Sequence, residues 1–292
     1  MKVRIMEISK LSKSITPSGT MAISNKARVL REEGKPVIGF GAGEPDFPTP
    51  EYVIKDVQVA AEDPANHKYS AVAGLNVLKD EIVRTSKLYS GIEVGQENIV
   101  VSNGGKHAIL TTFMSLLNPG DEVLIPSPYW TTYPEAVKIS GGNPIIVDTE
   151  FDDDFKINID QLEALKTNKT KILVWVSPSN PTGVVYTKEE AEKIYNWAFD
   201  NDIWILSDEL YEHLVYEGVT SPSPAQYDKT LKKTIVINGV AKAYSMTGWR
   251  VGWIIANTEV IDMAKKIQSH ATSNVSNLSQ IAAYSALKNG LN

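Results

Sequence analysis

The chain has 292 residues, 42% hydrophobic and 22% charged, which is the usage of a folded chain rather than a disordered one. Lys and Arg number 29 against 35 Asp and Glu, a formal charge of −6, so no global field draws it to nucleic acid or an anionic membrane. With no cysteine, a disulfide scaffold, a thiolate nucleophile, a Cys-ligated zinc site and an iron–sulfur cluster are all excluded.

The chain opens on MKVRIMEISKLSKSITPSG, charged and without an apolar h-region, so no secretory signal is expected and the cytoplasm is the expected location. Ser18–Glu33 reads as a helix with Ser18 as N-cap and Gly34 at its C-terminal end. Val37–Phe40 reads as a strand, and Glu51–Ala61 as a helix after a Pro-containing turn. Leu75–Ser90 places Leu75, Leu78, Ile82 and Leu88 near one helical face. Strands are then expected at Ile99–Val101, Glu122–Ile125, Ile145–Val147, Ile172–Val176, Trp204–Ser207, Thr234–Asn238 and Val251–Ile255. Helices are expected at Lys106–Leu117, Lys188–Phe199 behind a Thr187 cap, Val260–Thr272 and Leu278–Lys288. Runs as short as Ile172–Val176 are far too short to span a bilayer.

Alternating strands and helices predict an α/β fold with a mainly parallel sheet, its strands apolar almost throughout because both faces are covered. No Gly/Ser linker or internal repeat divides the sequence, so a second domain has to be built from the termini. In open α/β sheets ligands bind beyond the C-terminal ends of the strands, and the loops there carry unusual residues.

Lys242 follows the Thr234–Asn238 run by a few residues, where loss of solvation lowers an amine's pKa and frees it to attack a carbonyl. Arg250, eight residues on, offers a fixed guanidinium to a phosphate; a solvated lysine and a surface ion pair are the plainer readings. Asp208 ends the Ile203–Leu206 run and suits a buried cation such as a protonated ring nitrogen, or serves as an N-cap. Tyr211 shares its side if a helical turn begins there. Asn180, in Ser179-Asn-Pro-Thr-Gly183, offers an amide from a sharp turn. Gly104, Gly105 and Lys106 open a helix whose free N–H groups could cradle a phosphate. Trp130 offers an indole face for stacking, and Tyr69 is a second exposed-or-core aromatic. The four histidines lack metal-ligand spacing and no Gly-x-Ser-x-Gly elbow occurs, so neither a metal site nor a Ser-His-Asp triad is expected. Each motif has a plain structural reading; together they describe pyridoxal phosphate.

The segments Gly41-Ala-Gly-Glu-Pro-Asp-Phe47, Pro126-Ser-Pro-Tyr-Trp130, Ser179-Asn-Pro-Thr-Gly183, Ser207-Asp-Glu-Leu-Tyr-Glu-His213 and Ala241-Lys-Ala-Tyr-Ser-Met-Thr-Gly-Trp-Arg250 resemble class I pyridoxal-phosphate aminotransferases, most closely the bacterial aspartate aminotransferase type. The resemblance covers nearly the whole chain in the family's order. It implies a fold-type I PLP-dependent transferase with pyridoxal 5′-phosphate as cofactor. Lys242 would then be the Schiff-base lysine and proton shuttle, with Asp208 holding the ring nitrogen's proton. Tyr211 and Asn180 would bond the ring hydroxyl, Trp130 would stack on the ring, and Arg250 with Gly104, Gly105 and Lys106 would hold the phosphate. Tyr69 would reach the phosphate of a neighbouring subunit in a homodimer. Gly43, Trp130 and Asn180 would meet the substrate, an amino acid or a 2-oxo acid, with aspartate and 2-oxoglutarate implied. The implied organisation is an N-terminal arm and part of a small domain (1–46), a large cofactor domain (47–273), and the start of a connection to an incomplete small domain (274–292).

Two departures stand out. Gly239 and Ala241 occupy positions where some members carry phosphate-binding hydroxyls, which shifts weight to Arg250. The family also continues for about another quarter of its length, and the arginine that clamps the substrate carboxylate has no counterpart here. A PLP-dependent C–S β-lyase and a cofactor-binding but incompetent fragment are the alternative readings.

Overall fold

The computed structural model describes residues 7–41, 43–216 and 218–291. Residues 1–6, Ala42 and Asn292, which belong to segments read above, lie outside them. Among the described residues seven strands form one sheet: β1 (Ile99–Ser102), β2 (Glu122–Pro126), β3 (Asn143–Val147), β4 (Thr170–Val176), β5 (Trp204–Asp208), β6 (Thr234–Gly239) and β7 (Gly252–Ile255), in the order β1-β7-β6-β5-β4-β2-β3. All neighbours pair in parallel except β7, which runs antiparallel to both β6 and β1.

Among the described residues ten α-helices accompany the sheet: α1 (Lys10–Ser14), α2 (Gly19–Glu32), α3 (Glu51–Ala60), α4 (Asn76–Ser90), α5 (Gly105–Leu116), α6 (Thr132–Ile139), α7 (Ile159–Leu165), α8 (Lys188–Asp200), α9 (Thr258–Ala271) and α10 (Asn277–Asn289). The two-residue period of the strands sorts the core into faces. Val100, Ile172, Val174, Leu206, Ile235, Ile237 and Ile254 point to one side, where they meet Ile109 and Phe113 of α5 and Val260, Ile261 and Ala264 of α9. Their alternates point to the other side. Ile99, Val101, Val236, Trp253 and Ile255 pack on α3, α4 and α10, while Leu173, Trp175, Ile203 and Ile205 pack on α7 and α8. Strands buried on both faces cannot alternate apolar with polar, which is why their sequences read as continuous apolar runs.

Local capping ends the helices much as the sequence suggests. Ser18 accepts from the Met21 N–H, and Gly34 lies just past α2 at φ +77. Thr187 and Glu190 form a reciprocal capping box on α8. Two expectations fail. Val37–Phe40 is not a strand: Ile38 is 82% exposed and Phe40 93%. A strand needs a neighbour for its N–H and C=O groups, and none of the described residues provides one. Leu88 is exposed, because thirteen residues on from Leu75 the helix has turned it away; Thr85 and Ser86 take the inward positions beside Leu78 and Ile82. The short helices α1, α6 and α7 were not expected. α6 carries Pro134 in its first turn, where a missing N–H leaves no helical bond unmade.

None of the described residues between 7 and 50 is buried. At the other end, α10 packs Ala282, Ala283, Ala286 and Leu287 into the same core as β1 and β7, so no gap in packing marks residue 274. No helix among the described residues is long and apolar enough to cross a membrane.

Candidate active site

Parallel register brings the chemistry together. Val176 at the end of β4 pairs with Asp208 at the end of β5, and Asp208 pairs with Ile237 of β6. Asn180 therefore starts four residues beyond this row, Asp208 lies in it, and Lys242 lies five beyond. On the far side Ser102 of β1 pairs with Gly252 of β7, so the Gly104 turn and Arg250 emerge at the same edge of the sheet. The loop after β2 delivers Trp130 to that edge.

Lys242 sits in the turn after β6. Its Nζ donates to the backbone oxygen of Gly43 at 2.5 Å and lies 5.5 Å from the centre of the Tyr211 ring. Partial burial lowers the amine's pKa; Glu44 opposes this, Arg250 reinforces it, and Asp208 opposes it. A lysine so placed loses its proton more readily than one in water. Gly43, expected near the substrate, thus touches the amine itself.

Asp208 is 2% exposed. Burial pushes its carboxyl up to about 6, against the hydrogen bonds from Tyr133 and the Leu210 N–H and the field of Lys242. The Tyr133 hydroxyl donates to Oδ2 at 2.7 Å and Leu210 N–H to Oδ1 at 3.3 Å. The second contact is the capping-type bond expected of Asp208, but it closes a turn rather than a helix. Tyr211 follows in that turn. Asn180 Nδ2 donates to its hydroxyl oxygen at 3.2 Å, while burial and the Asp208 carboxylate raise its pKa. The Asn180–Pro181 peptide is cis.

The Gly-rich turn forms a cradle. Gly104 adopts φ +81, a left-handed conformation open to glycine, and a Cβ there would fall 2.9 Å from Arg250 Nη2. α5 begins at Gly105 with no side-chain cap, so the Gly105 and Lys106 N–H groups are left without a helical acceptor, in the turn that Arg250 approaches. Arg250 itself has φ +56 and donates through Nη1 to the Thr247 oxygen at 2.9 Å. Such a conformation costs a non-glycine residue about 1–3 kcal/mol, which the surrounding turn supports. Gly239 is explained by packing: a Cβ there would sit 2.8 Å from the Val251 oxygen and 3.0 Å from Gly252 Cα. No side chain, hydroxyl or otherwise, fits at 239 without moving β7.

Lys106 turns its ammonium over the Trp130 ring at 4.9 Å, and burial together with Arg250 lowers its pKa. Trp130 meets the edge of Tyr133 at 5.6 Å and 90°. Tyr69 stands apart from this group, 90% exposed. His107, at the start of α5, accepts the Asn103 N–H on Nδ1 at 3.3 Å, and burial lowers its pKa. No cluster of three or more His, Cys, Asp or Glu suited to a metal occurs among the described residues.

Sequence reasoning missed two contributors. Tyr133 lies one helical turn past Trp130 in Trp130-Thr-Thr-Tyr133, a spacing that puts both on one side. Glu44, next to Gly43, accepts from the Thr247 hydroxyl at 2.9 Å and so reaches the Lys242 turn.

The fold and this edge define a class, and comparison with known proteins agrees. The family model of aminotransferase class I and II matches residues 35–292. An aspartate aminotransferase from Streptomyces avermitilis is 49% identical over 279 residues, covering 95% of this chain and 68% of that protein. One from Bacillus subtilis is 44% identical, covering 96% of this chain and 72% of its own length. Among solved structures, aspartate aminotransferase from Thermus thermophilus with maleate superposes with a TM-score of 0.94 at 37% identity, over 98% of this chain and 74% of that one. The chain belongs to the aminotransferase class I and II family. Pyridoxal 5′-phosphate is the cofactor of this family, and the residues present fit it: an anion cradle at Gly104–Gly105 and Arg250, a buried carboxylate at Asp208, and an amine of lowered pKa at Lys242.

Proposed function

We propose that this chain transaminates between an L-amino acid and a 2-oxo acid, with aspartate as amino donor and 2-oxoglutarate as acceptor. The observation that carries the reading is the convergence of Lys242, Asp208 and the Gly104–Arg250 cradle on one edge of the sheet. Bound pyridoxal 5′-phosphate supplies an electrophilic carbon and a conjugated ring that accepts electrons.

The chain's own residues do the rest. Lys242 would hold the group through its Nζ, with the aldehyde oxygen leaving as water, and its amine, of lowered pKa, would serve as the general base for the proton on the substrate's α-carbon. Asp208 keeps a proton on the ring nitrogen through a charge-assisted bond in a dry environment. Tyr211 and Asn180 hold the ring hydroxyl, and Trp130 covers the ring face. Arg250 and the N–H groups at Gly105 and Lys106 bind the phosphate, as free N–H groups at a helix start favour, while Gly104, whose own N–H donates to the Ser102 oxygen at 2.7 Å, shapes the turn that presents them. Gly43, Trp130 and Asn180 line the place of the substrate.

The same proposal includes a homodimer in the cytoplasm in which the exposed Tyr69 reaches a partner's phosphate. It divides the chain into an arm (1–46), a large domain (47–273) and a connecting segment (274–292), with α10 anchoring that segment to the large domain. The test is a half-reaction panel. Cofactor-loaded protein mixed with single amino acids should lose its visible absorbance fastest with aspartate, releasing one equivalent of oxaloacetate. Catalytic release of pyruvate from cystathionine with no oxo-acid acceptor, and no response to aspartate, would make the β-lyase reading the correct one.

A further inference from the structure

We propose that Tyr133 is a positioning residue that orients the Asp208 carboxylate toward the ring nitrogen and keeps it ionised. The inference rests on the functional reading above. The Tyr133 hydroxyl is buried and donates to Asp208 Oδ2 at 2.7 Å, while Leu210 N–H holds Oδ1 at 3.3 Å. With one donor on each oxygen, the carboxylate cannot rotate, and its remaining lone pairs have a set direction. Other titratable groups around it are Tyr211, Lys242 and Glu209. Glu209 is held by the Ser207 and Ser223 hydroxyls on the far side of the same strand end, at 2.7 and 2.5 Å, and does not bond Asp208. Tyr133 is therefore the side-chain donor on Asp208, and burial keeps its own hydroxyl protonated well past its usual range.

Direction follows from charge. A hydrogen bond donated to a carboxylate stabilises the ionised form and makes it a weaker base. A weaker base leaves the proton on the ring nitrogen. Without the hydroxyl, Asp208 competes for that proton, and the ring's pull on electrons fades. Tyr133 also supports Trp130 edge-on at 5.6 Å, so one residue braces both the stacking indole and the ring-nitrogen partner.

Tyr133→Phe removes the hydroxyl and keeps the ring contact with Trp130. In the cofactor-free protein, infrared difference titration should show the Asp208 carboxyl, identified by its loss in Asp208→Asn, binding its proton about tenfold more tightly than in the parent. In the cofactor-loaded protein, the visible-absorbance titration of the Lys242 linkage should move to higher pH, with kcat down about tenfold and the amino donor's KM nearly unchanged. In an Asp208→Asn background, adding Tyr133→Phe should move the absorbance titration no further. Replacing Tyr133 by a fluorotyrosine, a more acidic donor of nearly the same shape, should shift the Asp208 titration the other way.

An Asp208 titration unchanged by both substitutions overturns the proposal. If the carboxyl responds but the loaded protein shows no absorbance tied to Lys242, the positioning stands and the functional reading fails.

Discussion

The sheet edge and the N-terminal segment of described residues 7–50 touch through a few hydrogen bonds, Lys242 Nζ on the Gly43 oxygen among them, yet they are built on different physics. At the edge, Asp208, Lys242 and Gly104 hang from strands buried on both faces, and each position is set by ladder bonds, packing and side-chain donors at once. Along that segment, Phe40, Ile38 and Phe47 are 93%, 82% and 79% exposed, and no described residue from 7 to 50 is buried. That segment is tied to the edge through further single bonds: Thr49 Oγ1 to the Ser245 oxygen, Trp249 Nε1 to Thr49 Oγ1, and Thr247 Oγ1 to Glu44. Rigid positioning for chemistry comes from the sheet; the arm contributes contacts whose worth lies in what they reach, not in the area they bury.

That contrast is open to direct attack, most strongly at its chemical centre. Lys242→Ala should cost about 10⁴-fold or more in transamination rate, because it removes the nucleophile and the base together, while thermal unfolding stays close to the parent's. Retention of the parent rate in a stopped-flow half-reaction assay would break the account at its centre. The packing half of the comparison comes next. Leu78→Ala, at a fully buried position of α4, should destabilise by about 2–5 kcal/mol. Phe40→Ala in the arm should change stability by no more than about 0.5 kcal/mol. Equal shifts in the denaturant midpoint would erase the difference between the two regions.

A subtler effect separates them by pH. Burial raises the Asp208 carboxyl to about 6 from an ordinary 3.8, so the folded protein holds that proton more tightly than the unfolded chain does. Stability is therefore lost as pH rises through this window, on the order of 3 kcal/mol by its upper end. Asp208→Asn in the cofactor-free protein removes this dependence. Its stability relative to the parent should climb between pH 4 and 6 and level off above, as read by urea unfolding at a series of pH values. The smallest effect belongs to the arm's surface. Arg28 and Glu32 pair at 2.7 Å with both side chains 61% exposed, and Arg28→Ala should change stability by about 0.5 kcal/mol or less.

The legibility of the sequence followed the same divide. Helices close their hydrogen bonds within themselves, so Ser18 and Thr187 announced α2 and α8 locally. Buried strands announced themselves by unbroken apolar runs, and seven of eight expected strands are present. The eighth, Val37–Phe40, failed because pairing is a property of a neighbour, which local sequence does not contain. The site was legible where a residue type is unusual after a strand, as with Lys242 and Asp208. It was not legible at Tyr133, whose apolar ring and helical spacing look like ordinary core until its hydroxyl is found on Asp208.

The most direct test of the central claim is to load the protein with pyridoxal 5′-phosphate, reduce it with borohydride and map the peptides by mass spectrometry. The account predicts a single pyridoxyl-phosphate adduct on Lys242. An adduct on Lys106 or any other lysine with Lys242 unmodified, or no adduct at all, contradicts it.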